Sequence, residues 1–134
     1  QFLVSEDGGR NWRRHRVPES LLSLAINPDD PDEILVSGRR SLYESENGGE
    51  SWQPLGGPPG FLSWPAAGVP YLVGKDGSVS VSEGRNWREV GEIGAEPAAF
   101  EADTADSRLY VALHDGSILQ SPDGGGTWEL RTAP

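Results

Sequence analysis

The sequence contains neither cysteine nor methionine in 134 residues. Without cysteine there are no disulfides and no thiolate-bound metals. Because a translation product begins with Met and this chain begins with Gln1, we expect that upstream residues were removed, by cleavage of an export signal, by proteolysis or by choice of an engineered boundary. No run approaches the roughly 20 apolar residues of a bilayer-spanning helix, so we expect no membrane span.

Basic residues are also scarce, with 11 Lys and Arg against 21 Asp and Glu and a net charge of −10. A general nucleic-acid binder needs a basic footprint, so nucleic acid is not an expected partner. Glycine and proline together number 29 (Gly 18, Pro 11), which favours tight turns over long helices. No phosphate loop, nucleophile elbow or zincin motif is present, and the sequence predicts no cofactor, no metal and no catalytic residue.

A short pattern recurs along the chain. It reads SEDGGRNW at 5–12, SENGGESW at 45–52 and SPDGGGTW at 121–128, with a copy shortened by two residues, SEGRNW, at 82–87. The closing tryptophans are separated by 40, 35 and 41 residues, a period typical of solenoids and propellers. A catalytic loop is needed only once, so four copies indicate a repeating architecture.

Each repeat predicts four short antiparallel strands, which is the unit of a β-propeller blade. An apolar segment forms the first strand, two more strands flank a tight turn, and the closing tryptophan opens the fourth. Asp-Gly in these turns predicts two-residue hairpins. The alignment equates the turns at 38–40, 75–77 and 114–116, the second-strand residues Ile34, Tyr71 and Tyr110, and the first-strand residues Leu24, Trp64 and Phe100.

The strand count predicts an all-β chain of about three and a half propeller blades. The predicted units are a partial blade at 1–17 and blades at approximately 18–55, 56–92 and 93–134. Since a propeller needs 4 to 8 blades to close, we expect a segment of a larger propeller or one subunit of an assembly. Two copies would contribute seven blades' worth of strands.

The motif Ser-x-Asp-x-Gly-x-Thr-Trp resembles the Asp-box, or BNR repeat, of sialidases, sortilin-type receptors, some glucanases and photosystem assembly factors. The copy at 121–128 matches every defined position, and the others carry substitutions or the deletion. The resemblance implies a β-propeller and export from the cytoplasm, to the periplasm or outside the cell. It also implies that an enzyme of this family would hold its catalytic funnel on the face away from the boxes.

We interpret the box as a structural staple in which the acid or amide accepts hydrogen bonds from its own turn and the tryptophan is buried between blades. A calcium loop is the alternative, but the alternating oxygen ligands and distal Glu of an EF-hand are missing. The stretch NPDDPDE at 27–33 reads as a strand turn, again with calcium as the alternative. The predicted box residues are Ser5, Asp7, Gly9, Trp12, Ser45, Asn47, Gly49, Trp52, Ser82, Trp87, Ser121, Asp123, Gly125 and Trp128.

The rim opposite the boxes is predicted to be the more basic one and to offer an anion-preferring surface. Tyr71 and Tyr110 repeat at a strand position and are interpreted as packing residues, not sialidase-like nucleophiles. Two histidines without a third ligand make a poor zinc site. The candidate binding residues of this rim are Arg14, Arg16, Arg39, Arg40, Lys75 and His114.

The function predicted from these observations is a non-catalytic propeller module for protein binding or assembly, for which the photosystem assembly factors are the analogy. The alternative is a fragment of a secreted sialidase-like or glucanase-like glycoside hydrolase. We expect a protein partner, or the missing blades, along residues 2–6 and on the exposed face of 109–131. The blade of 60–90, with its shortened box, is expected to be the weakest.

Overall fold

The computed structural model describes residues 1–65, 68–103 and 108–134. Within these ranges all regular structure is β-strand, and the longest strand has nine residues. The predicted all-β class is confirmed. No helix in the described part of the chain has the length and apolarity required to cross a membrane.

Fourteen strands form one two-stranded and three four-stranded antiparallel sheets. The two-stranded sheet, called the half-blade below, contains β1 (Phe2–Val4) and β2 (Arg13–His15). In each larger sheet the strands lie in chain order, as in a propeller blade. The first blade contains β3 (Leu21–Asn27), β4 (Asp30–Gly38), β5 (Leu42–Ser45) and β6 (Gln53–Leu55); the second, β7 (Gly60–Ser63), β8 (Tyr71–Gly74), β9 (Ser78–Glu83) and β10 (Asn86–Glu92); the third, β11 (Pro97–Ala102), β12 (Leu109–Leu113), β13 (Ile118–Ser121) and β14 (Glu129–Thr132).

The apolar core lies between the blades. Successive strand residues point to opposite faces, so the central strands, apolar at consecutive positions, bury side chains on both sides. Each fully buried Leu or Val contributes about 1.5–3 kcal/mol relative to exposure. The buried clusters are Phe2, Ile34 and Val36 between half-blade and first blade; Ala25, Leu35, Leu42, Leu62 and Leu72 between first and second; and Val73, Val79, Ala102, Leu109 and Val111 between second and third.

The pairing of the box serines corrects the predicted register of the second strands. Ser45 lies opposite Ile34, and Ser121 lies opposite Leu109. Ile34 is therefore equivalent to Leu109, and Tyr110 is one residue further along. Because a shift of one residue moves a side chain to the other face of the sheet, Tyr110 faces away from the preceding blade. Tyr71, opposite the residue before Ser82, has the same orientation.

The first strands need a similar correction of two residues. The second-strand partners Val36, Leu72 and Val111 are equivalent, and they lie opposite Leu24, Leu62 and Phe100. The prediction equated Trp64 with Leu24 and Phe100, but Leu62 occupies that position. Both residues are large and apolar, so the sequence pattern did not distinguish them.

Two of the turns between second and third strands are longer than predicted. Around Lys75–Gly77 the N–H of Gly77 donates to the carbonyl of Gly74 at 2.9 Å, and Gly77 has a φ of 84°. This is a three-residue loop that ends on a left-handed glycine, and the loop at 114–116 is built in the same way, with Gly116 at 92°. The predicted two-residue hairpin is wrong for these two turns.

The shortened box of the second blade is replaced by a longer hairpin. β9 and β10 are joined through Gly84 and Arg85, and six residue pairs connect them. In the first and third blades the corresponding strands share three pairs. Arg85 also forms an ion pair with Glu44 of the first blade. The structure thus has additional ladder pairs where the box turn is missing, and the expected weakness of this blade stays a prediction.

Hydrogen exchange would compare the two outer hairpins directly. We expect the ladder amides of β10 to exchange at least as slowly as those of β14, because more residue pairs hold β10 in its sheet. Mass spectrometry of overlapping peptides that cover the two strands gives the measurement. Faster exchange throughout β10 than in β14 would confirm the prediction that the shortened box weakens this blade.

The second glycine of the first-blade box and that of the third-blade box lie at the boundary with the preceding sheet, whereas that of the half-blade box contacts only its own box. Gly9, Gly49 and Gly125 have φ values of 92°, 94° and 102°. A Cβ on Gly125 would lie 2.7 Å from Cγ1 of Val79 in the second blade, and one on Gly49 would lie 2.9 Å from Cε1 of Phe2. At Gly9 the nearest atom is 3.6 Å away, in Trp12 of the same box.

Replacing these glycines separates backbone strain from packing between blades. Gly125→Ala and Gly9→Ala impose the same left-handed strain, about 1–2 kcal/mol, but only Gly125→Ala overpacks a blade boundary, which costs about 1–3 kcal/mol more. Urea unfolding should therefore show the larger loss for Gly125→Ala. Equal losses of unfolding free energy in the two variants would mean that the residues at the blade boundary accommodate the added methyl group without a measurable penalty.

Candidate functional site

The three complete boxes share one hydrogen-bond network, which confirms that Asp7 and Asp123 bond to their own turns. In each, the serine hydroxyl donates to Oδ1 of the acid or amide and accepts from the N–H of the second glycine. The same Oδ1 accepts from a backbone N–H four residues later. These backbone distances to Oδ1 are 2.8 Å from Asn11, 3.0 Å from Ser51 and 2.9 Å from Thr127; those to the serine hydroxyl are 2.7 Å from Gly9, 2.9 Å from Gly49 and 2.8 Å from Gly125.

The box carboxylates are held by backbone donors of the same turn. The N–H of Asn11 keeps the pKa of Asp7 below its usual value, and that of Thr127 lowers the pKa of Asp123. No cluster of three or more potential metal ligands occurs among the described residues. The 27–33 stretch contains the end of β3, a turn at 28 and 29 and the start of β4, and Oδ1 of Asn27 accepts from the N–H of Asp29 at 2.9 Å.

Trp52, Trp87 and Trp128 are partly buried against the preceding unit, and Trp12 is exposed. Trp52 donates to the carbonyl of Arg16 at 3.0 Å and packs edge-on against Phe2, both in the preceding unit. Trp128 and Trp87 are half-buried against their own preceding blades. Trp12 is 58% exposed, because no described strand lies on that side of the half-blade. The predicted burial is therefore wrong for Trp12.

Trp87 also lacks a hydrogen-bond partner. Its Nε1–H is buried without an acceptor in the described part of the chain, whereas those of Trp12 and Trp128 donate to Gly9 and Gly125 of their own boxes. Gly84 lies three residues before Trp87, as Gly9 and Gly125 do before their tryptophans, but its carbonyl accepts from the hydroxyl of Ser82 at 3.3 Å instead. The cost of an orphaned donor, about 1–3 kcal/mol, opposes the gain from the longer ladder.

The predicted basic rim is not gathered into one site. Arg39 and Arg40 form a turn together with Glu19, whose carboxylate accepts from the N–H of Arg40 at 3.1 Å and from the hydroxyl of Tyr43 at 3.0 Å. The N–H of Arg40 is the main cause of the lowered pKa of Glu19. Of the remaining rim residues, Arg14 lies within β2, Arg16 follows it, and Lys75 and His114 lie in turns of the second and third blades.

The half-blade instead presents an open edge. β1 pairs with β2 on one side, and within residues 1–65, 68–103 and 108–134 no strand pairs with its other side. Its equivalents β5, β9 and β13 are each flanked by two strands. The half-blade thus holds a third and a fourth strand, and the places of the first and second are vacant.

Two first-blade side chains are bare because of these vacant places. Leu24 is 48% exposed, whereas the equivalent Leu62 is 5% exposed between two complete blades. Ile26, opposite Ile34, is 44% exposed, and its equivalent Ala102, opposite Leu109, is 3% exposed. The same apolar face is buried at Leu62, partly buried at Phe100, the third-blade equivalent of Leu24, and open at this boundary.

The open edge and the bare face border one groove of about 560 Å³, called the β1 groove. The predicted partner surface at residues 2–6 forms one wall. Leu24 and Ile26 form the other and were missed, although their buried equivalents in later repeats were a usable signal. Its charged lining residues are Glu6, Arg13, Asp32 and Glu50, and His15 also borders it.

The outer face of the third blade differs from the β1 groove. Tyr110 carries the guanidinium of Arg131 over its ring at 5.8 Å, and Arg131 also bonds to the side chain of Gln120. Glu101 lies opposite Tyr110. The contacts of Arg131 with Tyr110 and Gln120 thus cover part of this second predicted partner surface.

No protein-family model matches the sequence, and no curated protein matches it. Solved structures of β-propellers do match. YCF48 from Cyanidioschyzon merolae superposes with a TM-score of 0.73 at 20% identity over 89% of this chain and 42% of its own. A structure of YCF48 bound to D1 peptide gives 0.70 at 16% identity over 88% and 42%. The GH74 xyloglucanase from Xanthomonas campestris gives 0.60 at 19% identity over 83% and 18%.

These comparisons concern the fold alone, since all identities are 20% or below. The chain spans less than half the length of each of these structures. Together with the three four-stranded sheets, they identify the chain as a partial β-propeller.

The bonded carboxylates predict a loss of stability in acid. The pKa values of Asp7, Asp76, Asp115 and Asp123 lie below 3.8 in the folded chain. Their contribution is therefore complete above that pH and disappears as the pH falls through the folded pKa values. Asp123→Asn should make the thermal midpoint less dependent on pH below about 4, since Asn47 shows that an amide fits the box.

Thermal unfolding followed by circular dichroism over the acid range measures this effect. Asp29→Asn, which removes a charge from a strand turn and leaves every box intact, is the control. Identical pH profiles for Asp123→Asn and the unmodified chain would contradict the assigned role of the carboxylate.

Proposed function

We propose that this chain is a non-catalytic propeller segment that acts as a protein-binding or assembly module, with the β1 groove as its binding surface. The observation that carries the proposal is the exposure of Leu24 and Ile26 beside an unpaired strand edge. A free edge offers backbone donors and acceptors for strand addition, and exposed apolar patches mark interaction sites. A similar propeller, YCF48, has been solved with a bound D1 peptide.

The occupant of the β1 groove is polypeptide outside residues 1–134. A second copy cannot complete the blade with its own half-blade, because both half-blades hold third and fourth strands. The earlier arithmetic of seven blades from two copies therefore fails on topology. What fits is a β-hairpin that takes the place beside β1 that β3 and β4 take beside β5.

The six basic-rim residues remain a secondary proposal, for an anionic ligand. Arg39 and Arg40 border a shallow cavity together with Glu19 and Ser20. The carboxylate of Glu19 supplies opposite charge there, which weakens the case for an anion. Localisation outside the cytoplasm likewise stands as a proposal from the motif resemblance.

The alternative function is that of a glycoside hydrolase fragment. Such enzymes need a carboxylic acid whose pKa is raised so that it can donate a proton. Every described carboxyl group with a resolved shift has a lowered pKa instead. Under this alternative the catalytic carboxyl groups would lie in blades outside these residues.

A backbone-cyclised hairpin peptide with the sequence of residues 20–38 tests the groove. We expect it to bind the unmodified chain in fluorescence anisotropy. The double variant Leu24→Ser/Ile26→Ser should bind at least about tenfold more weakly, because burial of one such side chain contributes about 1.5–3 kcal/mol and about 1.4 kcal/mol corresponds to tenfold.

Two controls give the experiment its specificity. Arg39→Glu/Arg40→Glu changes the rim opposite the boxes, away from the β1 groove, and should leave peptide binding unchanged. A peptide carrying Leu35→Ser loses the side chain that faces the following blade and should bind weakly. If the unmodified chain binds neither peptide, or the groove variant binds as well as the unmodified chain, the β1 groove is not a polypeptide-binding surface.

A further inference from the structure

Asn47 precedes Gly48 and forms the only Asn-Gly pair in the sequence. In such a pair the glycine nitrogen can attack the side-chain carbonyl carbon of the asparagine and expel ammonia. The resulting five-membered imide is opened by water to aspartate or isoaspartate. Glycine favours this attack because no Cβ obstructs its nitrogen. The reaction consumes one water, releases one ammonia and requires no other reactant.

The fold holds the reacting groups of this pair in hydrogen bonds. The N–H of Gly48 donates to the carbonyl of Asp32 at 3.0 Å. Oδ1 of Asn47 accepts from the hydroxyl of Ser45 at 2.9 Å and from the N–H of Ser51 at 3.0 Å, and its Nδ2 donates to Oγ of Ser51 at 2.8 Å. The nucleophile and the leaving group are both restrained, so imide formation requires the box to open.

An aspartate would fit the same place. In the third blade Oδ2 of Asp123 accepts from the hydroxyl of Thr127 at 2.7 Å. Ser51 occupies the equivalent position, and its hydroxyl can turn from accepting to donating. An isoaspartate would instead lengthen the backbone before Gly49, which is buried and has no space beside Phe2.

We propose that Asn47 is a deamidation site that the folded first blade keeps unreacted and that local opening exposes. The two products act in opposite directions. The aspartate product brings the first-blade box closer to the consensus, from which only Ser51 then departs, and the isoaspartate product breaks the box at the boundary with the half-blade.

Peptide mapping by mass spectrometry after incubation at mildly alkaline pH tests the proposal. Deamidation at Asn47 should be at least about tenfold slower in the folded chain than in urea, since the reaction then waits for local opening. Ser51→Ala removes the partner of Nδ2 and should speed the folded-state reaction several-fold, whereas Ser41→Ala, outside the box, should not. Equal rates in the folded chain and in urea would overturn the proposal.

Thermal midpoints test the opposite effects of the products. Asn47→Asp should unfold at or above the midpoint of the unmodified chain, and the isoaspartate product, separated by chromatography, should unfold below it. Asn47→Ala, which loses the box bonds, is the destabilised reference. If Asn47→Asp falls as far as Asn47→Ala, an aspartate does not fit this box and the proposal is wrong.

Discussion

The packing of each blade against the next is the interaction on which this structure depends. The buried clusters cross blade boundaries, so a sheet that loses its neighbour leaves an apolar face in water. Leu24 shows the effect of a missing neighbouring sheet, since it is exposed beside the half-blade while its equivalent Leu62 is buried between two complete blades. Stability in such an array is approximately a sum of repeat and nearest-neighbour terms. A blade boundary that lacks one of its two sheets therefore lowers the stability of the adjacent blade more than that of distant blades.

The two ends of the array are chemically different. At the half-blade the backbone edge of β1 and the side chains of Leu24 and Ile26 are both unpartnered within the described residues. At the third blade, Arg131 covers Tyr110 and bonds Gln120, in the manner of a polar terminal repeat. The half-blade is for this reason the end at which added polypeptide brings the larger gain in buried apolar area.

Much of the fold could be predicted from the box spacing, because the motif marks the same turn in every blade. The register could not, because strands buried on both faces show no alternation that distinguishes one residue from the next. Ile34 and Tyr110 are both acceptable in a core, and only the pairing with Ser45 and Ser121 separates them. The strand count predicted one wall of the β1 groove, residues 2–6. The other wall, Leu24 and Ile26, and the exposure of Trp12 were not predicted, because both depend on which strands lie beside the half-blade.

The variation among the boxes bears on stability and not on specificity. Asn47 keeps the hydrogen bonds that Asp7 and Asp123 make to their turns, and the second blade replaces the turn by a longer ladder at the expense of one orphaned indole N–H. A motif that tolerates these substitutions has the role of holding the backbone of the turn. Under the proposed function, the residues that choose a partner lie where the side chains are not already bonded, and the exposed wall formed by Leu24 and Ile26 meets that condition, whereas the boxes do not.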